Sequence, residues 1–208
     1  LTNSLGSGGA TWTWNRDAMA GITPNTSSGV SSAIGETLTN STSSSIQVSY
    51  TATTTTLSCV SAPVTYIVTI KPKPVLTVSG NNSVCSGVTG NVNLTLTNSL
   101  GSGGATWTWN RDLLSGITPN TSSGVSSAIG ETLTNSTSSS IQVSYIATTT
   151  TAGCVSAPLT YIVTIKPKPV LTVTGNNSVC SGVTGNVNLT LTNSLGSGGA
   201  TWTWNRDA

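Results

Sequence analysis

The sequence predicts an all-β chain of tandem β-sandwich domains, each of about 95 residues. Three observations carry this. The chain repeats itself: residues 1–95 align without gaps on 96–190, and LTNSLGSGGATWTWNRD stands at 1–17, 96–112 and 191–207. Short stretches of period-two alternation recur through the unit, and no segment holds a convincing helical period. A unit this long exceeds a solenoid repeat and matches a whole small sandwich.

Within residues 74–168 the elements follow in order. Val75, Leu76 and Val78 make a short first strand. Val92, Leu94 and Leu96 alternate with Asn93, Thr95 and Thr97, a half-buried strand. Gly101-Ser102-Gly103-Gly104 is a turn. Thr106-Trp107-Thr108-Trp109 is a strand with both Trp on one face. A Ser/Thr/Gly-rich stretch follows, in which the sparse apolar anchors Ile117, Val125, Ile129 and Leu133 suggest two short strands. Ile141, Val143 and Tyr145 share one face of the next strand; Leu159, Tyr161, Val163 and Ile165 share one face of the last. Thr on the outward faces suits both strand propensity and water.

The joints between units are set at KPKP, Lys71-Pro72-Lys73-Pro74 and Lys166-Pro167-Lys168-Pro169. Proline fixes φ and removes a donor, so it avoids sheet interiors, and alternating Pro stiffens an extended linker. The expected domains are 1–73, lacking its first strand or strands; 74–168, complete; and 169–208, the front of a third. Leu1 aligns with Leu96, inside a strand-like run, so the sequence reads as a window on a longer repetitive chain. The two full copies differ at eight positions, three of them adjacent (Ala18/Leu113, Met19/Leu114, Ala20/Ser115), which marks a tolerant loop.

Only 6% of the 208 residues are charged and the net charge is +2, far from a nucleic-acid footprint. No apolar run is long enough to span a bilayer. The four cysteines are Cys59, Cys85, Cys154 and Cys180, two per period. The favoured pairing is Cys85–Cys154, closing a loop inside 74–168 worth roughly 4 kcal/mol of chain entropy. The rival, Cys59–Cys85, would staple neighbours across KPKP. Either implies an oxidising, extracellular setting. Zinc is disfavoured, with no C-x-x-C spacing and no His.

Trp107 and Trp109 are candidates for a sugar-stacking platform, but a chain without Phe needs large core residues, and core filling is the preferred reading for them and for Tyr145 and Tyr161. Asp112 and Glu131, the acids of the complete unit, could be imagined as a glycosidase pair; they are read as solvated turn residues. Calcium lacks an acidic cluster, and a Ser or Cys nucleophile lacks a base. No cofactor is expected. All four Lys lie in the joints, where they keep an exposed linker soluble and blunt strand edges. N-x-S/T matches such as that at Asn40 are expected by chance in so Ser/Thr-rich a chain.

The order of the pieces resembles the PKD-like Ig-fold repeats of giant Bacteroidota cell-surface adhesins: Val84-Cys85-Ser86-Gly87, then Trp107 and Trp109, then Gly153-Cys154, then a last strand over 160–167. The resemblance covers essentially the whole period. It implies an Ig-like β-sandwich strung in arrays, exposed at the cell surface, exported by type IX secretion and in some members serving gliding motility; it supplies no catalytic residues. The resulting expectation is a non-enzymatic stalk or spacer that extends a distal binding region. Its partners would be neighbouring repeats of the same chain and, in a filament, other chains, with no nucleic acid and no membrane insertion in this segment. The alternatives are a carbohydrate- or ice-binding repeat and a laterally self-assembling filament subunit.

Overall fold

The computed structural model describes residues 1–208 except Ser7, Thr121 and Ala208. Every regular element among the described residues is a strand. The chain divides into two compact units, residues 1–77 with 97–107 and 148–158, and residues 78–96 with 108–147 and 159–208.

Residues 1–73 hold β1 (Thr11–Arg16), β2 (Ile22–Thr23), β3 (Ser27–Gly29), β4 (Thr39–Asn40), β5 (Ile46–Thr56), β6 (Cys59–Val60) and β7 (Val64–Ile70). The long β5 is central, pairing antiparallel with β1, β6 and β7, while β3 extends the sheet beyond β1. β2 and β4 form a separate antiparallel pair. Among the described residues, 1–73 hold no counterpart of the strands Leu76–Gly80 and Ser83–Cys85. Val64 and Tyr66 are 67% and 72% exposed and border an apolar cleft of about 330 Å³ with Ile34, Tyr50 and Val68.

Residues 74–168 hold β8 (Leu76–Gly80), β9 (Ser83–Cys85), β10 (Val92–Asn98), β11 (Thr106–Arg111), β12 (Ile117–Thr118), β13 (Ser123–Gly124), β14 (Ala128–Glu131), β15 (Thr134–Asn135), β16 (Ile141–Thr151), β17 (Cys154–Val155) and β18 (Leu159–Lys166). One sheet runs β14-β10-β8; the other runs β13-β11-β16-β18-β9, with β17 folded back on β16; β12 and β15 pair apart. The core lies between the two large sheets. Leu76, Val92, Leu94, Leu96 and Ile129 are buried from one, Trp107, Val143, Tyr145, Ala147, Val163 and Ile165 from the other. β10 alternates without fault, its apolar residues buried and Asn93, Thr95 and Thr97 exposed. Each such aliphatic side chain contributes about 1.5–3 kcal/mol by leaving water.

The Ser/Thr-rich stretch differs from expectation. Among the described residues it holds four short strands rather than two, and Val125 is 79% exposed, so it anchors nothing. The added elements are too short to show a period. β9 was also illegible, because Ser83–Cys85 has no alternation; its parallel pairing to β18 defines it. At Gly80 the chain turns with φ +146°, and a Cβ there would stand 2.2 Å from the Asn93 carbonyl oxygen, so only glycine fits. The Asn81 side chain then continues the ladder, accepting from Asn93 N at 2.9 Å.

Residues 169–208 hold β19 (Leu171–Gly175) and β20 (Leu189–Asn193), an antiparallel pair. Their sequences match β8 and most of β10, yet Leu189 is 56% exposed where Leu94 is 0%. Among the described residues, β19 and β20 form a two-stranded sheet on their own.

Candidate functional site

The densest polar arrangement is buried. Arg111 closes β11, Glu131 closes β14 and Tyr145 lies mid-β16. Arg111 Nε donates to Glu131 Oε2 at 3.1 Å, with the two side chains 0% and 8% exposed. Arg111 Nη2 donates to Pro119 O at 2.6 Å and Nη1 to Asn120 O at 3.3 Å. The Tyr145 hydroxyl donates to the same Glu131 oxygen. The cluster therefore ties the β11–β16 sheet to the β14 sheet, and every charge in it is matched. Residues 1–73 repeat the cluster: Arg16 Nε bonds Glu36 Oε2 at 3.1 Å, and Tyr50 donates to Glu36.

The electrostatics follow from this geometry. Burial, then the hydrogen bond to Glu131, pushes the Tyr145 phenol far above its ordinary range. Burial and the bond to Glu36 push Tyr50 from 10.0 to about 12. For Glu36, burial favours the neutral acid, but donation from Tyr50 and Ser27 and the charge of Arg16 outweigh it, and its pKa is lowered. Guanidinium and phenol thus converge on one oxygen, Oε2, of a nearly buried Glu131 side chain. The cluster braces the two sheets against each other.

This corrects the reading of Glu131 as a solvated turn residue. Asp112 is half-buried, and its Oδ1 accepts from Ser144 N at 3.0 Å, so it extends the β11–β16 ladder. A cue was present in the sequence: each copy carries Arg, Glu and Tyr at fixed spacing in a chain with few charges. Separations of 20 and 14 residues gave no reason to join them until the sheets did.

The aromatic candidates divide. Trp107 is 8% exposed and Tyr145 1%. Trp109 is half-buried, its ring tilted 52° to Tyr145 at a centroid distance of 6.1 Å. Trp109 rests on Gly124, where a Cβ would come within 2.7 Å of the ring, and its buried Nε1 has no hydrogen-bond partner. Tyr161 is half-buried and donates to Gly80 O at 2.9 Å. Trp107 and Trp109 thus offer no open stacking face. Asn135, within an N-x-T match, is 5% exposed and spends its amide on Ser139 O and Ile165 O, both at 2.8 Å.

The cysteines require a correction. All four are free thiols. Cys85 pairs with Lys166, one residue beyond the Ile165–Ile141 pair, whereas Cys154 pairs with Thr151. They sit at opposite ends of the eleven-residue β16. At ~3.3 Å per residue that is roughly 30 Å, against the ~7 Å limit between disulfide Cα atoms. The Cys85–Cys154 pairing is therefore excluded. Cys59 pairs with Thr56, the place in 1–73 that Cys154 holds in 74–168.

The joint residues are placed unequally. Pro72 and Pro74 are buried, while Lys71 and Lys73 are exposed. Lys71 Nζ donates to Ala152 O at 2.9 Å within the first compact unit. Lys166 is the last residue of β18, and its carbonyl accepts from Ser86 N at 2.9 Å. Pro167 is half-buried, Lys168 and Pro169 exposed.

A protein-family model described as PKD-like domain matches residues 1–74 and 82–169. Among solved structures, the chain is similar to the crystal structure of chicken CNTN1 FN1-FN3 domains, at 10% identity and TM-score 0.32, over 81% of this chain and 62% of that one. A comparison with curated proteins finds no match.

Proposed function

This chain belongs to the PKD-like domain family, and from that premise we propose that its repeats are structural spacers of an extracellular surface protein. The finer reading is a stalk that carries a distal binding region of an adhesin or filament away from the cell. The domains are taken as 1–73, 74–168 and 169–208, with the joints at KPKP. Each strand pairing named above lies within one of these segments.

One observation carries the reading: the chain enters and leaves the complete copy at opposite ends of its longest strand. Val75 exchanges bonds with Ser99, N to Oγ at 2.9 Å and O from N at 3.0 Å. Neighbouring Asn98 bonds Thr149 and Thr151, at the far end of β16. The exit at Lys166 follows Ile165, which pairs with Ile141 at the near end. Tension on such a copy runs along its strands, and length adds with each repeat. The buried clamp braces the two sheets, which supports a mechanical reading.

Scattering from arrays of two, three and four whole repeats tests this. The expected maximum dimension rises linearly by about 35–45 Å per repeat, the length of an eleven-residue strand plus a joint. A dimension that fails to grow with repeat number would overturn the spacer. A glycan that saturates binding at one site per repeat would favour the carbohydrate-binding alternative.

A further inference from the structure

The two thiols of a copy lie at opposite ends of its longest strand, out of each other's reach, and the joint points to another pair of positions. Cys85 lies beside Lys166, held by the parallel register and by Ser86 N on Lys166 O. Lys71 stands one period before Lys166, in the same VTIKPKPVLTV context. Its ammonium group rests on Ala152 O, in the turn that Ala152 (φ 52°) and Gly153 (φ 82°) make just ahead of Cys154. Pro72 and Pro74 are buried beside it, so the joint is packed rather than free. Superposing the two by the period, the joint lysine is the register partner of the β9 cysteine of its own copy, and its ammonium group reaches the turn two residues ahead of the turn cysteine of the following copy. Cys85 is exposed and Cys154 half-exposed, so neither is sealed in a core.

We propose that the cysteine of β9 in each copy forms a disulfide with the turn cysteine of the next copy, so that Cys85 pairs with the counterpart of Cys154 one period further on. Consecutive repeats are then stapled in series across KPKP. The pairing also accounts for four free thiols, since no two cysteines of this chain stand in that relation. The chemistry is thiol–disulfide exchange with a disulfide oxidant, such as oxidised glutathione. One thiolate attacks the oxidant and the mixed disulfide is resolved by the second. One S–S bond breaks in the oxidant and one forms in the protein, and the two protein thiol protons end on the two released oxidant thiols. The inference needs the tandem arrangement of the proposed function but not its mechanical role, and scattering and disulfide mapping fail independently.

The test extends this chain after Ala208 with a second copy of residues 114–168, which adds the missing turn cysteine. Both chains are oxidised with glutathione disulfide, alkylated and mapped by mass spectrometry without reduction. The expected result is a single bridge in the extended chain, from Cys85 to the added cysteine, and full alkylation of all four thiols in the 208-residue chain. Cys85→Ser should abolish the bridge and free one thiol, while Cys180→Ser should leave it intact; both positions are exposed, so the fold survives either change. A Cys85–Cys154 bridge, or an extended chain whose thiols all alkylate, would overturn the proposal.

Discussion

Arg111 and Glu131 show how much a single residue pair decides in a chain this poor in charge. Removing one partner of a buried pair leaves the other unmatched, so Arg111→Met should destabilise residues 74–168 by about 3–5 kcal/mol in denaturant unfolding. A loss below about 1 kcal/mol would mean that the guanidinium is not needed there. Gly124 makes a second demand, because Trp109 lies where a Cβ would go. Gly124→Ala should cost about 1–3 kcal/mol by overpacking, whereas Gly130→Ala, with nothing within 4 Å of the added atom, should be nearly neutral. Equal effects from the two would remove the packing argument. Tyr50 supplies a pH dependence. Its folded pKa is raised, so its contribution is complete below pH 10.0 and is lost as pH climbs towards about 12. Stability of 1–73 should fall across that window, and Tyr50→Phe should flatten the fall. An unchanged slope in that variant would place the alkaline loss elsewhere.

Among the elements, β10 and β20 make the clearest comparison: shared residues, with Leu94 buried in one and its counterpart Leu189 56% exposed in the other. Alternation names the face a strand will bury; only the opposing sheet removes that face from water. Placing the sequence of 169–190 directly ahead of Leu1 would put the counterparts of β8 and β9 beside residues 1–73. The expected result is slowed hydrogen exchange in β5 and β7 and protection of Tyr66, now 72% exposed. Exchange rates that do not move would show that 1–73 cannot accept its own period. The same comparison explains what could be read beforehand. β8, β10, β11, β16 and β18 carry period-two patterns and were legible. β9, β12, β13 and β17, of two or three residues each, carry no pattern and are specified by the neighbours they pair with.

For the whole molecule, the packing of 74–168 predicts that this copy, isolated, folds as a monomer with the same stability oxidised or reduced, because no bridge lies within it. Denaturant curves with and without reductant check this; a reductant-dependent midpoint would mean an intracopy bond that the register forbids. By itself, the sequence determined the all-β class, the 95-residue period, the joints' composition and the faces of the longer strands. Those are local properties, written in alternation, proline and repetition. The tertiary structure alone decided which distant polar residues meet and how far apart the cysteines lie. Arg111, Glu131 and Tyr145 converge because three strands of two sheets bring them together, and Cys85 and Cys154 part because the longest strand lies between them. Neither separation in space can be read from separation along the chain.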